Sequence, residues 1–289
     1  MAIESLRALM EAGENQDLCD IVIHSDCVDR GVTKEASFEK MRALYAAIRC
    51  ARAGYDPALR SASGMVGGDG AKMRAYVQSG KTICGDYIGQ VIAQALEMGE
   101  SNACMKCIVA APTAGSCGVL PAVLLPLWRS GSYSEEAICR ALYVSAGFGQ
   151  VVAARATLAG AEGGCQAEVG AASAMAAAAL VELRGGTAEQ CAEAFAMALT
   201  NLEGLVCDPV AGLVEIPCIK RNVIGAMNAV SCADMALAGV VGHIPADEVI
   251  DAMAEVGAAM SNDLRETGIG GLAGTPTGKA IRDIVQMQG

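Results

Sequence analysis

The 289-residue chain is 53% hydrophobic, 18% charged and 3% aromatic, with a net charge of -11. Its charged share lies below the usual ~25%, and no basic face is available to neutralise phosphates, which excludes nucleic acid and anionic membrane surfaces as partners. The composition allows a sizeable core of Ala, Val, Leu, Ile and Met, suited to close helix packing, and a weakly charged surface that points to a partner chain.

The first stretch, MAIESLRALMEAGENQDLCD, reads as one amphipathic helix with charges throughout, unlike a signal peptide. After a short polar connection, Phe38, Met41, Leu44, Tyr45 and Ile48 recur at helical spacing and predict a helix over Thr33 to Arg52. Gly54, Tyr55, Asp56 and Pro57 end it. A glycine-rich loop, SGMVGGDGAK, runs from Ser63 to Lys72. A helix follows over Asp86 to Met98, with Ile88, Val91, Ile92, Ala95 and Leu96 on one face. The uncharged run Cys107 to Trp128 is long enough to span a bilayer. Pro112, Pro121, Pro126 and the turn-forming TAGSCG break it, so it reads as a buried loop leading into a helix at Val119–Trp128.

Ser132 with Glu135, and Thr187 with Gln190, read as capping boxes for helices Ser134–Val144 and Ala188–Leu202. The alanine run Val169–Leu183 strongly favours helix. Ile219–Leu237 and Asp247–Met260 predict two more helices, the second opened by Pro245. The chain then passes through the loop ETGIGGLAGTPTGK into a short helix or tail. Alternating β-branched runs are nearly absent. The expected fold is mainly α, a single helical domain over 1–289 with glycine-rich functional loops; residues 1–55 could pack as a peripheral helical appendage.

Thirteen cysteines without a signal peptide point to reduced thiols in a cytoplasmic protein. Cys50, Cys139, Cys191 and Cys232 fall within helical patterns and read as small apolar filler. Cys27, Cys84, Cys104, Cys107, Cys117, Cys165, Cys207 and Cys218 lie in loop-like settings. Cys104 and Cys107 form CMKC, which lacks the second pair or nearby histidines of a zinc site and the strand context of a redox motif. His24 and His243 are the only histidines; each reads as a satisfied core or interface group. Cys207 precedes Asp208-Pro209, which pushes it into extended or turn backbone, and Cys218 follows Pro217. Spacings of 42 and 11 residues between Cys165, Cys207 and Cys218 match no ferredoxin pattern, so the residues alone leave metal-binding thiols and core filler both open.

Four segments carry a resemblance. APTAGSCGVLPAVL (Ala111–Leu124), GCQAEVGAASAMAA (Gly164–Ala177), CDPVAGLVEIPCIKRN (Cys207–Asn222) and GGLAGTPTGK (Gly270–Lys279) together resemble the α subunit of the iron–sulfur-dependent L-serine dehydratases. The match runs in order from about Ser63 to Lys279. It implies a helical α chain, a [4Fe-4S] cluster on Cys165, Cys207 and Cys218 whose fourth iron has no protein thiolate, and conversion of L-serine to pyruvate and ammonia. It also implies a companion β subunit. The SSHT motif of that portion is missing here, so the general base, a histidine by first choice, is expected from the partner. No cysteine follows Cys232 to cap the fourth iron, and Cys104–Cys107 lies outside the family pattern.

An iron with an open position suits this reaction, since hydroxide leaves poorly and needs a Lewis acid. The zwitterionic substrate also needs donors for its carboxylate. Ser63, Gly64, Gly67 and Gly68, with Thr113, Gly115 and Ser116, offer hydroxyls and approachable backbone N–H groups. The glycine cluster lacks the ending of a P-loop and reads equally as a flexible loop. Thr275 and Thr277 are a second candidate or a structural turn. Arg221 pairs with a carboxylate or caps a helix, and Lys220 is a possible pyridoxal anchor. The alternatives are cluster-dependent β-elimination from cysteine or threonine, and a non-catalytic redox-sensing iron–sulfur subunit.

Overall fold

Ser5 takes the Ala8 amide on its hydroxyl and starts α1 (Leu6–Gly13); Asp17 does the same for Asp20 and starts α2 (Leu18–Arg30). The single helix expected here is therefore two, because each local N-cap satisfies amides that a continuous helix would not leave free. The computed structural model describes residues 3–288; Met1 and Ala2 of the expected first helix lie outside the described residues. Thr33 caps α3 (Lys34–Ala53).

The loop from Ser63 ends sooner than expected, in α4 (Asp69–Gln78). Its first amides are capped by a distant side chain: the Asp69 and Gly70 N–H groups donate to Glu100 at 2.7 and 3.2 Å. A carboxylate at a helix N-terminus also complements the helix dipole. Glu100 lies on α5 (Gly85–Ala103), which leads by the Met105–Gly118 loop into α6 (Val119–Arg129).

Ser134, and not Ser132, caps α7 (Glu135–Arg155), a helix almost twice as long as the expected Ser134–Val144. Its glycines Gly147 and Gly149 are seats for neighbours: a Cβ there would stand 2.5 Å from Val22 and 2.7 Å from Met175. The short α8 (Gly160–Gly163) precedes a π-helical turn, Gln166–Gly170, and α9 (Ala171–Leu183). Next come α10 (Ala188–Thr200), opened by the expected Thr187–Gln190 capping box, and α11 (Cys218–Leu237). Pro245 opens α12 (Ala246–Ala259), and α13 (Pro276–Gln288) follows the last loop. Among the described residues there is no strand, only one isolated bridge between Cys207 and Arg265. The mainly α expectation holds.

The core is arranged around α9. Every residue of α9 except Glu182 is buried, as expected of a helix apolar on all sides. Its alanines let α6, α7, α10 and α11 pack against it. Phe148 of α7 and Phe195 of α10 meet nearby with centroids 5.3 Å apart, a contact worth ~0.5–1.5 kcal/mol beyond area burial. Leu6, Val22, Ile23, Met41, Tyr45 and Ile48 from the first three helices belong to this same core.

The uncharged run Cys107–Trp128 is half loop and half helix, as expected, but the loop is exposed or half-buried up to Gly115 and buried only from Ser116 on. The described helix apolar and long enough to cross a membrane is α7, and 67% of its apolar window is buried against the rest of the fold.

Candidate active site

Two loop segments and a helix start bring Cys165, Cys207 and Cys218 near one another; all three are buried. Cys165 sits between α8 and the π-helical turn. Gly164, before it, has φ +76°, and a Cβ there would strike Met260 at 2.7 Å and the Leu205 carbonyl at 3.0 Å. Only glycine allows that approach. Gln166 fixes the segment: its N–H donates to the Leu205 carbonyl at 3.0 Å, its amide donates to the Met253 carbonyl at 3.0 Å, and its side-chain oxygen accepts from Gly204 at 2.8 Å. Single π-helical turns inside helical segments recur at functional sites.

Cys207 is held by the isolated bridge. Its N–H donates to the Leu264 carbonyl at 2.8 Å and its carbonyl accepts from the Glu266 N–H at 2.7 Å. These two bonds hold the Cys207 backbone in a bridge with Arg265, while the restriction imposed by Pro209 falls on Asp208, directly before it. Asp208 then turns inward, accepts from the Leu272 N–H at 2.7 Å and pairs with Arg221 at 2.8 Å. Arg221 also donates to the Val206 carbonyl at 2.7 Å. The open question over Arg221 is answered: it pairs with a carboxylate of its own chain.

Cys218 is the first residue of α11, directly after a cis Ile216–Pro217 bond. The helix dipole there favours a thiolate. Four residues on, buried Asn222 donates to the Cys218 carbonyl at 3.0 Å and the Gly115 carbonyl at 2.8 Å, and accepts from the Gly118 N–H at 2.8 Å. It thereby locks the Thr113–Gly118 turn onto the start of α11.

Burial pushes all three thiols up: Cys165 to about 11, Cys218 to about 12, and Cys207 further. The field of Cys165 reaches both of the other thiols, and the Arg221 guanidinium beside Cys165 works in the opposite direction. Val169, Leu202 and Leu205 form the apolar wall around Cys165 and Cys207. Among the described residues, no three His, Cys, Asp or Glu side chains stand close enough to share one metal ion.

Glu168 is the residue that sequence reasoning missed. It projects from the π-helical turn, with Oε2 4.0 Å from the Cys207 sulfur and Oε1 accepting from the Thr113 hydroxyl at 2.7 Å. Burial raises its pKa, opposed by Thr113 and assisted by Glu266. Gly160 packs so closely that a Cβ would stand 2.6 Å from Glu168 Oε2 and 3.2 Å from the Cys207 sulfur. Its position three residues after Cys165 was the available signal, because residues at that spacing share a helical face.

Of the residues proposed to hold a carboxylate, Thr113 and Gly115 meet Glu168 and Ser63 reaches Glu215, but the hydroxyls are engaged. Ser63 donates to Glu215, between Cys207 and Cys218, at 2.5 Å. Thr113 serves Glu168, and Ser116 is fully buried, with its hydroxyl facing Thr113 and the Ala111 carbonyl. Gly64, Gly67 and Gly68 all have positive φ, and a Cβ on Gly67 would stand 2.2 Å from the Leu59 carbonyl. Gly115 presses on Glu168, where a Cβ would come within 3.1 Å. Thr275 forms a turn, donating to the Leu272 carbonyl and accepting from Gly278 at 2.8 and 3.1 Å, while Thr277 falls in the first turn of α13. Lys220 pairs with Asp69 at 3.2 Å.

The other thiols and the histidines sort differently from expectation. Cys139, Cys191 and Cys232 are buried filler, but Cys50 is exposed. Cys27 lies in α2 and not in a loop, and Cys117 is buried. Cys84 and Cys107 are exposed, while Cys104 is half-buried at the end of α5. His24 and His243 are both exposed, because α2 turns His24 outward and His243 lies on the loop before α12.

The model of the family described as "Serine dehydratase alpha chain" matches residues 5–273. A Bacillus subtilis protein named "Probable L-serine dehydratase, alpha chain" is 48% identical over 264 residues, covering 91% of this chain and 88% of that protein. The "L-serine dehydratase, alpha chain" of Peptoniphilus asaccharolyticus is 52% identical over 218 residues, 75% of each. The "L-serine dehydratase" of Mycobacterium tuberculosis is 45% identical over 184 residues, 62% of this chain but 40% of that protein.

Proposed function

Because the chain belongs to the serine dehydratase alpha-chain family, we propose that it is the α subunit of an iron–sulfur-dependent lyase acting on L-serine. The reaction removes the α-proton and the β-hydroxyl of serine as water. The resulting enamine tautomerises and takes up water to give pyruvate and ammonia.

The observation that carries this reading is that three buried thiols from three separate segments, the residues the family resemblance assigns to a [4Fe-4S] cluster, lie within reach of one another's charge. The donor set fits such a group. Burial raises all three thiols, and a strongly cationic centre would take the place of their protons. Cys165, Cys207 and Cys218 would hold the cluster, which when bound supplies an open Lewis-acid position for the departing hydroxyl.

The chain's own residues shape the pocket around it. Arg221 offsets negative charge beside Cys165 while anchoring Asp208. Glu168, oriented by Thr113, can hold a proton or accept a hydrogen bond at Oε2. Val169, Leu202 and Leu205 keep water from the sulfurs. Ser63, Gly64, Gly67, Gly68, Thr113, Gly115 and Ser116 act chiefly as a frame, and the N–H groups of Gly64, Thr113 and Ser116 are already engaged within the chain.

The base that takes the α-proton comes from a second, β-type chain in this reading. The Mycobacterium tuberculosis relative supports it, since more than half of that protein lies outside the matched segment. A cytoplasmic setting is part of the proposal, because thirteen free cysteines suit a reducing compartment. The test is anaerobic reconstitution with iron and sulfide, then assay for pyruvate from L-serine with the partner chain present. A colourless, iron-free product would overturn the reading.

A further inference from the structure

Away from the thiols, α5 turns a polar face toward three arginines. Gln90, Gln94 and Glu97 are spaced four and three residues apart and so share that face. Arg74 of α4 grips Glu97 with two bonds, Nε to Oε1 at 2.5 Å and Nη2 to Oε2 at 2.7 Å. Arg52, near the end of α3, brings its Nε to 3.9 Å from Glu97 Oε2. Arg129, the last residue of α6, reaches Gln90 Oε1 at 3.2 Å and has no carboxylate partner among the described residues.

We propose that Arg52, Arg74 and Arg129, grouped around Glu97, form a binding site for a small dianionic oxyanion of the phosphate class. Three cations face one carboxylate, an excess of two positive charges in a chain whose net charge is -11. Burial first, and then the charges of Arg52 and Arg74, lower the Arg129 pKa, and Glu97 offsets them only in part. Gln94, between Gln90 and Glu97, is fully buried, and neither its amide nitrogen nor its oxygen has a protein partner among the described residues. The Arg52 Nε is likewise buried without a hydrogen-bond partner. Buried polar atoms left unpaired are costly and point to a group that completes them. The guanidinium fork matches the oxygens of a phosphate. The Arg52 and Arg74 side chains remain 33% and 24% exposed, which leaves a route from solvent. The site is independent of the proposed reaction.

Calorimetric titration of the full-length chain with inorganic phosphate, at fixed ionic strength in chloride, tests this. The expected result is saturable binding of one phosphate, weakened about tenfold or more in Arg129→Gln through loss of a charge-assisted bond. Gln94→Leu and Arg129→Lys should also weaken it, the latter because lysine keeps the charge but not the fork. Acetate should bind more weakly than phosphate. Absence of saturable phosphate binding by the wild-type chain would overturn the proposal, whatever the variants do. So would wild-type affinity in a folded Arg129→Gln variant, or acetate binding as tight as phosphate.

Discussion

The Ser63 hydroxyl donates to Glu215 Oε2 at 2.5 Å, joining the glycine-rich loop to the segment between Cys207 and Cys218. Glu215 is almost fully buried, so this bond satisfies a carboxylate that water cannot reach. Ser63→Ala should cost about 1–3 kcal/mol of stability by leaving the carboxylate short of a donor. Urea unfolding measures it, and Ser63→Thr, which keeps the hydroxyl, should recover most of the loss. Equal losses in both variants would mean that the hydroxyl is not what matters.

Gly271 sits against Asp208 with φ +56°, and a Cβ there would stand 2.3 Å from Asp208 Oδ2. Gly271→Ala should displace Asp208 from Arg221 and approach the roughly 3–5 kcal/mol cost of breaking a buried ion pair. Gly80 has φ +69° and nothing within 4 Å of a built Cβ. Gly80→Ala should therefore lose only the left-handed strain of about 1–2 kcal/mol. Thermal unfolding of the two variants side by side checks the difference.

Replacing Cys165, Cys207 or Cys218 by serine should abolish retention of iron after anaerobic reconstitution. Cys139→Ser and Cys191→Ser should retain it, since those thiols are packed in the helical core. Arg221→Met should fold less stably and hold iron about 10–100-fold more weakly, as expected for a group that supports ligands without binding metal itself. Iron analysis with visible absorbance reports each outcome.

At the end of α9, Glu182 faces Asp17 and Asp20, with Arg140 as counter-charge. Burial first, and then Asp17, raise the Glu182 pKa. The folded state thus binds this proton more tightly than the unfolded chain does. Its contribution is full below the ordinary carboxylate range and is lost as pH rises toward the raised value. Glu182→Gln should therefore stabilise the chain at neutral pH, with the gain vanishing in acid. Denaturation midpoints across that pH range give the test; an equal gain at every pH would contradict it.

Local chemistry made much of the fold legible. Thr187 with Gln190, the alanine run of α9 and Pro245 each acted within a few residues of the boundary they set. What escaped was fixed from far away. The start of α4 depends on Glu100, thirty-one positions from Asp69, and no local pattern encodes that cap. The length of α7 depends on Val22 and Met175 filling the space over its glycines. At the candidate site, the matched segments meet in space, but hydroxyls that looked free for a substrate serve Glu215 and Glu168. A sequence displays a donor without displaying its acceptor. Glu168 was overlooked because attention to cysteine spacing passed over the acid between them.

The bridge between Cys207 and Arg265 bears on the order of assembly. Helices such as α9 and α10 are stabilised by neighbours close in sequence, whereas the backbone of Cys207 is fixed only when the chain returns fifty-eight residues later. Closing that loop carries an entropic cost that nearby contacts must first offset. The thiol pocket is consequently among the last parts of the molecule to take shape, so any metal it holds would meet a chain that is already folded.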